Sequence, residues 1–331
     1  MKLLITGGAG FLGARLARTL LAKGTLAGRG IERLVLADLV APPADLSADP
    51  RVAASVGSVL DLVQTLSAER FDGVFHLASA VSSECEANFD LGMSSNLDST
   101  RALLDGLRAA GNTPRLVFSS SVAVFGSDPA LPLPAVVCDD TLPTPQSSYG
   151  VQKFICEQLV ADYTRKGFID GRTARLMTVS VRPGRPNGAA SSFLSGIIRE
   201  PLAGQEALCP VSPDTEVALA SPANTVAGLI AVFEAERAAF GGRTALNLPA
   251  LTVRVQDMLD ALEQFGGSQA RALVRFAPDE TIARIVGSWP ARFESPRGAR
   301  LGLAPDRDFA SIVEQYLQDY PQAAPLSLSA V

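Results

Sequence analysis

Lys2-Leu3-Leu4-Ile5-Thr6-Gly7-Gly8-Ala9-Gly10-Phe11-Leu12-Gly13 is the stretch whose reading decides the fold. An apolar run breaks into a glycine turn, after which Leu12, Leu16 and Leu20 recur every four residues up to Gly24. That period predicts a helix over 11–23 closed by a glycine cap. Glycines let the backbone approach a pyrophosphate, and the helix N-terminus offers it free N–H groups and the positive end of a dipole. The spacing is G-x-x-G-x-x-G rather than G-x-G-x-x-G, so the turn by itself is only moderately specific. A second apolar run, Arg33-Leu34-Val35-Leu36-Ala37, ends on Asp38. A carboxylate there accepts both ribose hydroxyls of NAD and repels the 2′-phosphate of NADP, a better fit to its strand-end position than a turn-capping role.

Outward from this start, strand and helix patterns alternate, the signature of a parallel α/β sheet. Strands are expected at 2–6, 33–38, 52–56, 73–78, 115–120 and 173–179, and helices at 11–23, 59–68, 86–110 and 145–166. Thr144 is the expected N-cap of the last helix, with Pro145 at its first position and Gly167 beyond its end. Its apolar positions Val151, Phe154, Ile155 and Leu159 are expected to face one way, leaving Tyr149 and Lys153 aimed as a pair. After about 180 the pattern loosens into shorter elements between Pro/Gly turns. The chain therefore reads as a Rossmann-type, doubly wound NAD-binding domain over 1–180 and a smaller substrate-binding lobe over 181–331, with some segments returning to the sheet. Residues 321–331 read as a poorly ordered tail.

Composition narrows the function. The 331 residues are 47% hydrophobic, enough for a large core, and a net charge of −5 leaves no basic footprint for nucleic acid. No apolar run reaches the length of a membrane span, and Met1-Lys2 leads into a strand rather than a signal peptide, so a soluble cytoplasmic protein is expected. Cys85, Cys138, Cys156 and Cys209 are scattered without metal-ligand or disulfide spacing, and His76 is the only histidine. Neither a histidine metal site nor a Ser-His-Asp triad elsewhere fits this inventory, and no metal is expected.

The chemistry concentrates in Tyr149-Gly150-Val151-Gln152-Lys153, preceded by Ser119-Ser120-Ser121. A tyrosine and a lysine four apart lie on one helical face. For a tyrosine to act as a base near pH 7, its pKa must fall by roughly 3, about 4 kcal/mol. One positive charge at about 5 Å supplies roughly 3 kcal/mol of that at an effective dielectric of about 20. An exposed Tyr/Lys pair is the ordinary alternative, and the glycine turn upstream weighs against it.

Taken together, T-G-G-A-G-F-L-G (6–13), Asp38, H-L-A-S (76–79), Asn96, S-S-S-V-A-V-F-G (119–126) and Y-x-x-x-K (149–153) resemble the extended short-chain dehydrogenase/reductase family over nearly the whole chain. The resemblance implies that Gly7, Gly10 and Gly13 wrap the NAD pyrophosphate, with backbone contacts from Phe11 and Leu12. Asp38 would hold the ribose, Ser58 and Val59 the adenine end, and Leu77, Ala78, Ser79 and Val179 would lie along the cofactor. Asn96 would support a proton relay, and Ser121 would hydrogen-bond the reacting hydroxyl. Tyr149 would take its proton, with Lys153 lowering the tyrosine pKa and holding the nicotinamide ribose. Homodimerisation through the helices at 86–110 and 145–166 is also implied. Two departures stand out: Ser58 replaces an aspartate usual at the adenine, and Phe125 replaces a usual tyrosine.

Nucleotide-sugar members of the family typically hold the diphosphate with an arginine in an R-D-Y-I-H-V-type segment. The matching stretch here, Thr215–Asn224, has none. Arg182, Arg185, Asn187 and Arg199 are offered instead, and guanidinium forks suit a small anionic ligand. Each arginine alone reads more readily as a surface or ion-pair residue; Ser79 and Ser82 are further substrate candidates, and Trp289 reads as packing rather than pocket wall. Residues 36–43, 180–201, 286–293 and 308–313 are similar to a sugar-acid dehydrogenase branch of the family. This implies NAD-dependent oxidation of the C2 hydroxyl of a small sugar acid, D-erythronate foremost, to the 2-keto acid. A nucleotide-sugar epimerase and a non-catalytic NAD-binding regulator are the alternatives.

Overall fold

The computed structural model describes residues 1–184 and 189–323, apart from the side chains of Gln64, Leu66 and Ser67. The opening apolar run is strand β1 (Lys2–Thr6), whose Leu3 and Ile5 enter one core and whose Leu4 enters another. Successive side chains of a strand point to opposite faces, so an unbroken apolar run marks a strand covered on both.

Six more strands join it: β2 (Arg33–Asp38), β3 (Val52–Val56), β4 (Gly73–His76), β5 (Arg115–Ser121), β6 (Asp170–Leu176) and, far downstream, β9 (Leu246–Asn247). All pair parallel, in the order β9-β6-β5-β4-β1-β2-β3. Helices α1 (Phe11–Lys23) and α7 (Pro222–Glu234) place Leu16, Leu20, Leu229 and Phe233 on the Leu3/Ile5 face. Helices α4 (Ser99–Ala110) and α5 (Ser148–Arg165) place Leu103, Leu107, Cys156 and Val160 on the Leu4 face. This is a Rossmann-type, doubly wound α/β sheet. Strand order reverses between β1 and β4, and the crevice outside their carboxyl ends is where such sheets take ligands.

Helices α6 (Phe193–Leu202), α8 (Val255–Ala272) and α9 (Phe309–Asp319) share a third core around Ile197, Leu259, Leu262 and Ile312. Beside it lies a three-stranded sheet of β7 (Thr178–Val179), β8 (Glu216–Ala220) and β10 (Leu251–Arg254), in the order β10-β8-β7. Among the described residues no helix is long and apolar enough to cross a membrane.

Several expected boundaries shift. The strand expected to reach 78 ends at His76, and the one expected over 173–179 divides at Met177, because Thr178 leaves the large sheet to pair with Leu219. The single helix expected over 86–110 is broken. α3 (Ser82–Ala87) stops at Asn88, whose backbone is extended and whose side chain caps the next turn through Leu91 N–H (3.0 Å). A π-helical turn, Met93–Asp98, then leads into α4. Thr144 does not cap α5: its hydroxyl donates to Gly126 O (2.5 Å), and Ser147 caps the helix by accepting from Gly150 N–H (3.1 Å).

The apolar positions of α5 do not face one way either, since Phe154 and Leu159 pack partly buried against the cores and Val151 and Ile155 do not. Its buried positions are Gly150, Gln152, Lys153, Cys156, Glu157 and Val160, while Val151 is 42% and Ile155 38% exposed. At the far end, Pro321–Ala323 form one 3-10 turn, and the remainder of the expected tail lies outside the described residues.

Candidate active site

One cavity of about 790 Å³ runs along the carboxyl ends of the strands. It is built first by the glycine turn. Gly7 has φ +71°, and a Cβ there would sit 2.8 Å from Ala78 N, while one on Gly13 would sit 2.0 Å from Gly7 O. The turn, α1 and the strap after β4 thus pack backbone against backbone. Gly10 caps α1 without a side chain, and the first helical turn contains no acidic residue. Its unpaired N–H groups face the cavity beside Phe11 and Leu12 with nothing to repel an anion.

Asp38 lines the cavity at the end of β2, and its Oδ2 also accepts from Ala9 N–H (2.9 Å), steadying the turn it faces. Ser58 and Val59 lie farther along the same wall. The Ser58 hydroxyl donates to Asp61 Oδ2 (2.6 Å) and accepts from Asp61 N–H (3.1 Å), so it is committed to starting α2 (Val59–Ala68).

Leu77, Ala78, Ser79 and Ser82 line the opposite wall, and their course is set by two buried residues. Asn96 accepts from Ser79 Oγ (3.0 Å) and Ala80 N–H (2.7 Å) and donates to Gln152 Oε1 (2.8 Å). It does not itself line the cavity. His76 contacts Thr6 Oγ1 (2.6 Å) through Nδ1 and Thr100 Oγ1 (2.9 Å) through Nε2. Thr100 donates its own proton to Asn96 O (2.5 Å), which assigns the imidazole proton to Nε2 and leaves Nδ1 accepting from Thr6. Burial, with the Lys153 charge as a second cause, pushes the His76 pKa down to about 3, so the ring is neutral.

Ser121, Tyr149 and Lys153 meet at the middle of the cavity. Ser121 Oγ accepts from Ala123 N–H (3.1 Å), opening a 3-10 turn over Val122–Val124. A Cβ on Gly150 would lie 2.1 Å from Ala123 O, so α5 rests directly on that turn and brings Tyr149 beside Ser121. Lys153 Nζ donates to Ser119 O (2.9 Å) and lies 5.5 Å from the centre of the Tyr149 ring. Beneath them Arg175 grips Glu157 through two bonds (2.9 and 2.7 Å), and Ser120 Oγ donates to the same carboxylate (2.6 Å). Phe125 is buried under Arg175 and Phe293 and does not line the cavity, so the missing tyrosine hydroxyl leaves its wall untouched.

The far end is formed by Met177, Thr178, Val179, Arg182, Ser191 and Trp289. Arg182 is partly buried, interacts electrostatically with Tyr149, and donates from Nη2 to Ser191 Oγ (3.0 Å). Among the described residues no carboxylate pairs with it. Burial, then the Arg199 charge, disfavours its charged form. Arg199 itself lies behind the wall, tied to Arg182 O and Glu200. Arg185 and Asn187 lie outside the described residues.

Sequence reasoning passed over Ser94, Ser95 and Ser191 and took Trp289 as packing alone. Trp289 packs on the third core and also closes the cavity. Ser94 and Ser95 reach the wall from the π-helical turn, which no periodicity in the sequence signals.

A cavity of this kind at the switch point of a doubly wound sheet defines a dinucleotide-dependent enzyme class. The family model described as "NAD dependent epimerase/dehydratase family" matches residues 3–222; the chain belongs to that family, and NAD is its cofactor. The resemblance to extended short-chain dehydrogenases/reductases is borne out. The chain is 48% identical over 325 residues to the D-erythronate dehydrogenase of Cupriavidus necator, covering 96% of this chain and 98% of that one. It is 42% identical over 323 residues to the D-erythronate dehydrogenase of Haemophilus influenzae, covering 96% and 99%. Among solved structures it is similar to the nucleoside-diphosphate-sugar epimerase of Agrobacterium tumefaciens, with a TM-score of 0.91 at 39% identity, covering 98% and 95%.

Proposed function

We propose that this protein is an NAD-dependent dehydrogenase that oxidises the C2 hydroxyl of D-erythronate, or a closely similar sugar acid, to the 2-keto acid. The observation that carries the reading is Arg182: a guanidinium drawn into the cavity wall near Tyr149 with no carboxylate partner among the described residues. The two full-length relatives named D-erythronate dehydrogenase support it.

The residues fit the cofactor. Gly7, Gly10 and Gly13, with the open start of α1, would hold its pyrophosphate, Asp38 its adenosine ribose, and Leu77–Ser79 and Val179 its length. Ser58 would have no proton to donate at the adenine end, since its hydroxyl gives it to Asp61, and would keep one acceptor lone pair there. When bound, NAD supplies the hydride acceptor.

The chain's own residues manage the proton and the substrate. Ser121 would orient the C2 hydroxyl and Tyr149 accept its proton, with Lys153 one turn on in the same helix placed to hold the nicotinamide ribose. Arg182 would hold the carboxylate one bond from the reacting carbon, and Asn96 would act from behind by fixing the Ser79–Ala80 turn. Tyr149→Phe removes only the proton acceptor. It should leave NAD affinity within about twofold and lower turnover by roughly 10²- to 10⁴-fold, measured as NADH formed from D-erythronate. Turnover above a tenth of wild type would sink the assignment.

The Agrobacterium structure favours a second reading, a nucleotide-sugar epimerase. Against it, the matching stretch Thr215–Asn224 contributes no residue to the cavity wall. Free NADH on mixing with sugar acids separates the two, because an epimerase returns its hydride to the sugar.

We place the enzyme in the cytoplasm, a reducing compartment that suits four unpaired cysteines. We also propose a homodimer. Val151 and Ile155 on α5, with Phe89 (61% exposed), present apolar surface that a second copy would cover. Sedimentation of Val151→Glu/Ile155→Glu as a monomer, with wild type as a dimer, is the expected result.

A further inference from the structure

Arg182 is gripped at three points by one segment of chain. Its N–H donates to Ser195 Oγ (3.0 Å), its carbonyl accepts from Arg199 Nη1 (2.7 Å), and its Nη2 donates to Ser191 Oγ (3.0 Å). Two residues earlier, Ser180 donates its hydroxyl to Leu194 O (3.0 Å). Ser195 and Arg199 stand four apart on α6, hence on one face, which is how a single helix reaches both the donor and the acceptor of one residue's backbone. Both are buried, at 1% and 8% exposure, and neither lines the cavity.

Charge is arranged with the same care. Arg199 pairs with Glu200 (2.5 Å), so the three neighbouring charges leave a surplus of one positive, carried by Arg182 at the wall. The Arg199 side chain reaches Glu200 through Nη2 and the Arg182 carbonyl through Nη1. Buried and absent from the cavity lining, it is removed from the carboxylate-holding candidates and has a different task.

We infer that Arg199, together with Ser195, is a positioning residue that fixes the Arg182 backbone so that its guanidinium meets the substrate carboxylate in one orientation set before substrate arrives. This rests on the reading that Arg182 holds the carboxylate. Preorganisation removes the ordering penalty from the binding step, so its loss is read in KM rather than in the chemical step.

The test is a double-mutant cycle on the full chain with saturating NAD, following KM and kcat for D-erythronate, NAD affinity and the thermal midpoint. Arg199→Met and Ser195→Ala should each raise KM roughly 5- to 10-fold, the worth of one hydrogen bond, with kcat and NAD affinity within about twofold. Arg199→Lys, which can still reach the carbonyl, should regain most of the loss. In an Arg182→Gln background the same changes should alter KM by less than about twofold, because their effect passes through Arg182. Equal penalties in both backgrounds would overturn the positioning role while leaving Arg182 as the holder. A wild-type KM in Arg182→Gln alone would remove the carboxylate reading and this inference with it. If Arg199→Met fails to fold because Glu200 is left unpaired, Ser195→Ala answers the same question without a charge change.

Discussion

Arg175 and Arg182 are both arginines drawn out of water, and the protein treats them in opposite ways. Arg175, under the floor of the cavity, meets Glu157 in a two-bond fork and covers the Phe125 ring, its Cζ 4.8 Å from the centre. Arg182, at the wall, has a serine hydroxyl and no carboxylate among the described residues. A buried charge with its counter-ion already present ties β6 to α5 and is part of the scaffold. One held without a counter-ion carries an unmet electrostatic demand, which an anionic ligand can fill. Two residues of the same type, seven apart in sequence, are thus told apart only by what the fold brings to them.

The comparison is most exposed at Glu157. Glu157→Gln leaves the Arg175 charge buried and uncompensated and should lower unfolding free energy by about 3–5 kcal/mol, read from the urea midpoint. Replacing both partners, Glu157→Leu with Arg175→Met, should recover most of that loss, since no charge then remains buried. A single variant as stable as wild type would mean the pair is not structural.

Arg182→Gln should behave conversely. Stability should change by no more than about 1 kcal/mol, the worth of the Ser191 bond. Losing a charge-assisted contact of about 1.5–3 kcal/mol should lower kcat/KM for D-erythronate roughly 10- to 150-fold, while the neutral polyol erythritol is little affected. A destabilisation as large as that of Glu157→Gln would erase the distinction between the two arginines.

His76 shows a third way to bury a titratable group, by keeping it neutral, and its effect is the smallest. Its pKa falls from 6.5 to about 3 on folding, so below 6.5 the unfolded chain binds a proton that the folded one refuses. Stability from this group is intact above the unfolded pKa and is lost as pH falls toward 3. Between pH 7 and 5 the loss is about 2 kcal/mol, and His76→Asn should remove that portion of the slope, seen in chemical denaturation at the two pH values. A wild-type slope unchanged by the substitution would place the proton elsewhere.

What the sequence made legible follows the range of the interactions involved. The glycine turn, Asp38, Ser121 and the Tyr149/Lys153 spacing are local arrangements, and all of them line one cavity. Where the deciding contact is distant, local reasoning chose wrongly. Thr144 has the right chemistry for a cap, but Gly126 claims its hydroxyl, and Ser147 takes the position. Val151 and Ile155 read as sharing a face with Phe154 and Leu159, yet they stay exposed while α5 buries Lys153 and Glu157, which find Ser119, Ser120 and Arg175 there. The break at Asn88 and the π-helical turn around Asn96 depend on side-chain bonds that no helical period encodes. Arg182 and Arg199 could be nominated together from sequence, but only the hydrogen bonds reaching across from α6 give them different tasks.

The contact between Gly150 and the Ala123 carbonyl bears on how this cavity could be enlarged. With no room for even a methyl group between α5 and the turn after Ser121, the distance between serine and tyrosine is a backbone dimension that side-chain redesign cannot alter. An engineer seeking to admit a five- or six-carbon acid would find no slack at that wall. The room has to come from the opposite side, by trimming Trp289 or reshaping the chain around Ser191, and the spacing of the reacting groups would survive the change.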